Sequence, residues 1–319
     1  MSVAAGEWLK LVRDEYLKSF IANGCAAVKF AVVADDAAAT ELKSEVRQMA
    51  GDSGYLVVSV DAADTRVHMM QHVFHQVAHQ VPWQDLARRV VRRCYQELGI
   101  VCDDGPLKLD EIAAANQLDP RFLRRDLRRA LEALIGRNHL LTKDFRYAMI
   151  ALCADQAAQW DSGPDSALIL EWLKGDLKLA SALKRLYIFQ KIGRHNARPM
   201  LSSLSAWCRL AGLPGLVLLW DVRALGLAGR PDGVLHYSAA AAIDAYEVLR
   251  QLIDASDELT GMLCVVVASP ELLEDEKRGV KVYKALYERI WPDVRLRRQD
   301  NPLSALITLA AERAELAAV

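Results

Sequence analysis

Asp221 closes the apolar run GLVLLWDV (215–222). A carboxylate at the end of a buried strand is the group that reaches magnesium beside a nucleotide phosphate. That chemistry also needs a phosphate loop, G-x-x-x-x-G-K-[ST], between an earlier strand and its helix. Its backbone N–H groups wrap the phosphates, its lysine offsets their charge and its hydroxyl joins the metal. The stretch FAVVADDAAATELK (30–43) has the right surroundings, an apolar run leading into a helical pattern. With Thr40 at the hydroxyl position, Ala39 takes the lysine position, and Ala38 and Val33 stand where glycines belong. Asp35 and Asp36 add two negative charges where polyphosphate would sit. Like charges ~4 Å apart repel by about 4 kcal/mol at an intermediate dielectric of 20, so the usual pose is strongly disfavoured. Taken alone, the segment reads as an ordinary strand-to-helix turn. After Asp221, where an active ATPase carries a glutamate that polarises the attacking water, the chain has Val222. Lys29 and Lys43 flank the loop, both on the wrong side by sequence to replace the missing lysine.

A second group of residues carries charge rather than catalysis. Arg121, Arg124, Arg125, Arg128 and Arg129 recur at spacings of three and four after Pro120, on one face of a predicted helix. Phe122, Leu127, Leu131 and Leu134 are expected to line its other face. The preceding LDEIAAANQLDP resembles the first helix and turn of a helix-turn-helix, with Asp119 as N-cap and Pro120 at N1. Arg88, Arg89, Arg92 and Arg93 make a second basic face. Three readings stay open for these faces: contact with DNA phosphates, docking of an acidic protein, or simple solvation beside Asp126 and Glu132. Few Asn or Gln side chains accompany them to read base edges.

His68, His72, His75 and His79 share a face if HMMQHVFHQVAHQ is helical, and His at i, i+4 can chelate a metal. Without a carboxylate or cysteine in that segment, a mixed polar face is expected and no metal site. Arg289, ending VYKALYERI, has two readings: a finger or sensor for a phosphoryl site, or a helix-terminal cation. No Ser/His/Asp order and no paired glutamates at helical spacing suggest a hydrolase.

The elements that must position these residues follow from the patterning. Hydrophobic residues make up 52% and charged residues 25% of the 319, enough for a substantial core. Lys+Arg 40 against Asp+Glu 41 leaves no global field favouring nucleic acid or membrane. Six scattered cysteines without a CxxC pair are expected to be reduced thiols, and no apolar run reaches bilayer length. A cytoplasmic protein is expected. Strand-like runs at 27–34, 55–62, 215–222 and 262–269 alternate with helical patterns, interrupted by an almost wholly helical stretch from Trp83. The expected organisation is a parallel α/β core in two parts, 1–82 and 176–319, around a helical insertion at 83–175.

The series RHNARPMLSSLSAWCRLAGLPGLVLLWDV, AYEVLRQLIDAS and MLCVVVASPELLEDEKRGVKVYKALYERI resembles the ATP-binding proteins of BREX-type phage-defence systems. Tyr246, Glu247, Leu249 and Arg250 match that family's Tyr-Glu-x-Leu-Arg helix. Pro270, Glu271, Asp275, Gly279, Tyr283, Leu286 and Arg289 match its next segment, and GCAAVKFAV its entry strand. The resemblance implies a P-loop NTPase core of AAA-like type, with covering helices and an inserted all-helical, winged-helix or helix-turn-helix-like subdomain. Against the family pattern both phosphate motifs are degenerate, the lysine and glutamate positions being Ala39 and Val222. The degenerate nucleotide site would comprise Asp36, Ala38, Ala39, Thr40, Asp221, Val222 and Arg289. The expected protein is a pseudo-ATPase, without a catalytic residue or cofactor, that scaffolds or regulates a defence or DNA-transaction complex. Its expected partner is an active paralogue, helicase or nuclease, with DNA and self-association as further candidates. The alternatives are an ATPase with an unorthodox Mg·ATP site and a DNA-binding regulator acting through the helical insertion.

Overall fold

The computed structural model describes residues 2–103, 105–157, 164–227, 229, 232–291 and 303–310. The chain opens with β1 (Ser2–Ala4) and α1 (Ala5–Leu11), which runs on as a π-helical stretch, Val12–Ile21. Next come β2 (Ala26–Val32), α2 (Asp36–Asp52), β3 (Leu56–Asp61) and α3 (Met70–Gln80). A helical series follows: α4 (Trp83–Glu97), α5 (Leu109–Ala115), α6 (Pro120–Leu131), α7 (Lys143–Ala157), α8 (Pro164–Lys174) and α9 (Ala197–Leu210). The last part holds β4 (Leu216–Asp221), α10 (Ala239–Asp254), β5 (Met262–Ala268), α11 (Glu271–Glu274), α12 (Lys284–Ile290) and β6 (Leu306–Ala310). Two compact units result, one of residues 1–77 with 214–319, the other of residues 78–213.

The first unit is built on a six-stranded sheet of order β1-β6-β2-β5-β4-β3, parallel throughout. Every residue of β4 and β5 is buried, as uninterrupted apolar runs require when both faces of a parallel sheet are covered. Alternation sorts the side chains between the faces. Ala31, Val33, Val217, Leu219, Leu263, Val265 and Val267 pack with Trp8, Leu42, Val46 and Ala50 from α1 and α2. The four expected strands are present, and β1 and β6 add an edge that the sequence pattern did not announce. In a parallel sheet ligands bind beyond the carboxyl ends of the strands. Those ends carry Val32 of β2, Ala268 of β5, and Asp61 and Asp221, which pair in register across β3 and β4.

The second unit is helical among its described residues. α4 packs on α6, α7 and α9. Between α5 and α6 the turn places Gln117 at φ 57°, and the Asn116 amide bonds Val101 on both its N–H and its carbonyl. Asp119 caps α6 by accepting from the Arg121 N–H at 2.7 Å, with Pro120 in the first turn. The apolar face of α6 differs from the expected one. Leu123, Leu127, Leu131 and Ile135 are buried, whereas Phe122 is exposed and Leu134 only half-buried. The spacing of four from Leu123 to Leu131 belongs to the regular helix, and the wider π turn at Glu132–Gly136 carries it on to Ile135. Phe122 instead lies under the Arg125 guanidinium, 5.0 Å from ring centroid to carbon.

Candidate functional site

The connection from β2 to α2 is only Val33, Ala34 and Asp35. Val33 still extends the sheet, its N–H donating to the Ala268 carbonyl at 2.9 Å. Asp35 turns back to cap the helix, accepting from the Ala38 N–H at 2.8 Å. The positions aligned with the phosphate motif, Ala37 to Thr40, therefore lie inside the first turns of α2. Ala39 is fully buried in the core, and the Thr40 hydroxyl donates to the Asp36 carbonyl at 2.8 Å. The helix N-terminus already holds a carboxylate: the Ala38 N–H donates to the Asp35 side chain and the Ala39 N–H to the Asp35 carbonyl.

Asp221 sits opposite this turn at the end of β4, its side chain 3% exposed. Two cations hold it. Lys43, on the second turn of α2, donates from Nζ to Oδ2 at 2.7 Å. Arg223 places Nε 3.0 Å from Oδ1 and a terminal nitrogen 2.8 Å from Oδ2, a bidentate grip, while its backbone N–H lies 3.2 Å from Oδ1. The other terminal nitrogen of Arg223 donates to Asp36, joining the start of α2 to the end of β4. Lys43 also lies 3.8 Å from Asp61.

Burial pushes the Asp221 carboxyl up, but the hydrogen bonds and charges of Arg223 and Lys43 outweigh it and hold the group below its usual range. Burial, with the Asp221 charge adding to it, raises the Asp61 carboxyl. Val222, at the glutamate position, is buried and donates its N–H to the Val267 carbonyl. Magnesium at Asp221 would have to displace an ammonium and a guanidinium. Triphosphate beside α2 would face Asp35 and Asp36. The residues as arranged do not fit Mg·ATP in the usual pose.

Sequence reasoning singled out Asp221 and Asp36, and the fold brings them together through Arg223. Arg223 and Asp61 were missed. The signal was present in two strands of like pattern, LVVSVD and LVLLWD, each ending in Asp, with an arginine two residues after the second. Lys43 meets Asp221 rather than a phosphate loop. Lys29 lies at the middle of β2 and donates to the carbonyls of Leu303 and Ser304 at 2.5 and 3.3 Å. Arg289 is not near Asp221. It lies on α12 against Asp254, at the end of α10 and toward the N-terminal ends of the strands.

The motif residues of the last part form one polar clasp. Glu247 accepts from Arg250 through both oxygens at 2.7 Å, from Gln251 at 2.6 Å and from the Tyr283 hydroxyl. Arg250 and Arg289 share Asp254. The Tyr246 hydroxyl donates to the Arg278 carbonyl at 2.5 Å, and Asp275 accepts from the N–H groups of Lys277 and Arg278. These bonds tie α10 to the segment 275–289.

The arginines of α6 are exposed. Arg125 and Arg128 pair with Asp126 and Glu132, and Arg129 lies 4.0 Å from Asp126. Among the described residues no acid pairs with Arg121 or Arg124. On α4, Arg88 pairs with Asp85 and Arg93 with Glu97, Arg92 donates to the Gly105 carbonyl, and Arg89 is exposed. The histidines disperse: His68 meets the Tyr237 ring edge-on, His72 meets His75, and His79 lies 4.0 Å from Asp176. Cys94, Cys153, Cys208 and Cys264 are buried, and burial pushes their thiols up, that of Cys94 to about 11. Among the described residues no helix is long and apolar enough to cross a membrane.

An all-parallel sheet with covering helices and a carboxylate beside a strand-to-helix turn defines a mixed α/β protein consistent with a P-loop-like core. The family model described as BREX system ATP-binding protein BrxC/D matches residues 17–318, and the chain belongs to that family, which ties it to phage defence. No curated protein and no solved structure matches it.

Proposed function

We propose that the chain is a pseudo-ATPase, a P-loop-fold subunit of AAA-like type that scaffolds or regulates a BREX phage-defence complex without hydrolysing nucleotide. The observation that carries this reading is the occupation of Asp221 by Lys43 and Arg223. Two internal cations supply the charge that a metal would bring, and they bind the start of α2 to the end of β4. A core closed in this way gives a fixed surface on which an active paralogue, helicase or nuclease can assemble. Titration calorimetry with Mg·ATP tests it. No saturable heat at millimolar nucleotide is expected, and no phosphate release. Micromolar binding, or turnover abolished by Asp221→Ala, overturns the reading. Co-purification with an intact P-loop protein, helicase or nuclease encoded beside it tests the scaffold role.

A second role, contact with duplex DNA through a helix-turn-helix-like insertion, is favoured by the exposed Arg121 and Arg124 beside the short turn between α5 and α6. Each phosphate contact adds about 0.9 to the salt slope of duplex binding. A slope lowered by Arg124→Ala with Arg128→Ala supports that role, and an unchanged one excludes it.

A further inference from the structure

From Leu177 to Trp220 the chain contains no acidic residue and seven Lys or Arg. Within this stretch, in the helical unit, aromatic side chains are turned to solvent. Tyr187 and Phe189 are 64% and 59% exposed, while Ile188 between them is fully buried. The backbone is fastened from below. Leu183 is buried, the Ile188 N–H donates to the Leu183 carbonyl, and the Trp172 indole N–H donates to the Gln190 carbonyl at 3.0 Å. Tyr187 itself closes a 3₁₀ turn (Ala180–Leu186) at φ 60°, where glycine or asparagine is the less strained choice. The fold thus holds a tyrosine in a left-handed position and presents it outward. Tyr147 of α7 lies beside it with ring centroids 5.7 Å apart, and the Lys143 ammonium stands 5.9 Å from the Tyr147 ring. Lys184 and Lys191, which flank Tyr187 and Phe189 in the chain, are exposed. Two acids of this unit are already engaged, Asp165 by Arg185 and Asp144 by a hydrogen bond from Gln190.

Exposed rings fixed in place beside Lys184 and Lys191, for which no acidic partner stands among the described residues, match one class of ligand. Single-stranded nucleic acid offers bases that stack on aromatic faces and phosphates that neutralise lysines, whereas the bases of a duplex are already stacked on one another. An acidic protein would use the lysines but gives the rings no planar partner. We propose that Tyr147, Tyr187 and Phe189 form a stacking platform for single-stranded nucleic acid, with Lys184 and Lys191 contacting its phosphates. This surface is separate from the α6 arginines in sequence and does not depend on how the Asp221 site treats nucleotide.

Fluorescence anisotropy of the full chain with labelled 20-mers of oligo(dT) and oligo(U), and with a duplex of equal length, tests the proposal. Binding of either single strand more tightly than the duplex is expected, and the two oligomers separate DNA from RNA. Tyr187→Ala with Phe189→Ala should weaken binding about ten- to a hundredfold without shifting the melting temperature, and Tyr187→Trp should restore it. Lys184→Ala with Lys191→Ala should lower the single-strand salt slope by about 1.4. The proposal is overturned by affinity that is unchanged on losing both rings, by preference for the duplex, or by equal competition from poly-glutamate, which would mark an acidic-protein surface.

Discussion

Lys43 Nζ lies 2.7 Å from Asp221 Oδ2, so the carboxylate that ends β4 is bonded to the helix that follows β2. The two residues are 178 apart in the chain, and Arg223 closes the same bridge from the other side. The relationship makes this carboxylate part of the fold's own wiring.

Removing both cations should leave Asp221 buried and uncompensated, at about 3–5 kcal/mol of stability, with each single change costing less. Lys43→Ala, Arg223→Ala and the double variant can be compared by urea unfolding, which leaves ionic strength unchanged. The pH dependence carries a definite sign. The folded Asp221 carboxyl is depressed, so its contribution is full above the unfolded value of about 4 and is lost as pH falls through the folded value. The deficit of the double variant should therefore be largest near neutrality and shrink in acid. A deficit that is equal at both ends would show that the bridge is not ionic.

Restoring the lysine of the phosphate motif should fail for a structural reason. Ala39 is fully buried against the sheet, in the same core as Val46 and Val267. Ala39→Lys would force an ammonium into that core, and a loss of about 2–4 kcal/mol is expected rather than a gain of nucleotide binding. Thermal melting with and without Mg·ATP checks both halves. A variant that melts like the parent and is stabilised by nucleotide would show that α2 can unwind into a phosphate loop.

Much of the core was legible because its signals are local. GLVLLWDV and MLCVVVAS are too apolar and β-branched to be surface elements, and Asp119-Pro120 announces a helix start. What was illegible was either too short or too distant. β1 has three residues and gains meaning only by pairing with β6, some 300 residues away. On α6, Leu127 and Leu131 are buried as expected, but Leu123 takes the place expected for Phe122, and past Leu131 a π turn brings Ile135 rather than Leu134 to the buried side, which composition does not signal. Arg223 and Lys43 look like ordinary surface cations until the sheet order sets both beside Asp221. Arg289 had two readings in the sequence, a phosphate-site residue or a helix-terminal cation, and the fold sets it on α12 against Asp254 rather than beside Asp221.

Gly279 occupies a position that admits no side chain. A Cβ there would stand 2.3 Å from the Asp275 carbonyl oxygen, to which the Gly279 N–H donates at 2.9 Å. Its φ of −67° is available to any residue, so the constraint is contact and not backbone freedom. Gly279→Ala should open the 275–279 turn and cost about 1–3 kcal/mol, as overpacking does. Hydrogen exchange should show the loss concentrated in 275–290, while the amides of β4 and β5 stay protected. Uniform loss across the sheet would place the turn in the folding core.

Glu247 organises the clasp between α10 and the segment after β5, and its charge is what the neighbours read. Hydrogen bonds from Arg250 lead in drawing its carboxyl down to about 2, with burial opposing and Tyr283 and Gln251 adding to the pull. A depressed carboxyl stabilises the fold fully above its unfolded value, here about 4.5, and that contribution drains away between there and about 2. Glu247→Gln keeps the shape and one acceptor but removes the charge. Its stability should thus be lower than the parent's at neutral pH and should change less between pH 4.5 and 2. Tyr283→Phe removes one donor and leaves the Arg250 pair, so it should keep most of the acid dependence while lowering stability by about 1 kcal/mol. If Glu247→Gln and the parent lose stability in parallel through that acid range, the clasp is held by packing of Tyr246 and Leu286, and the carboxylate is incidental to it.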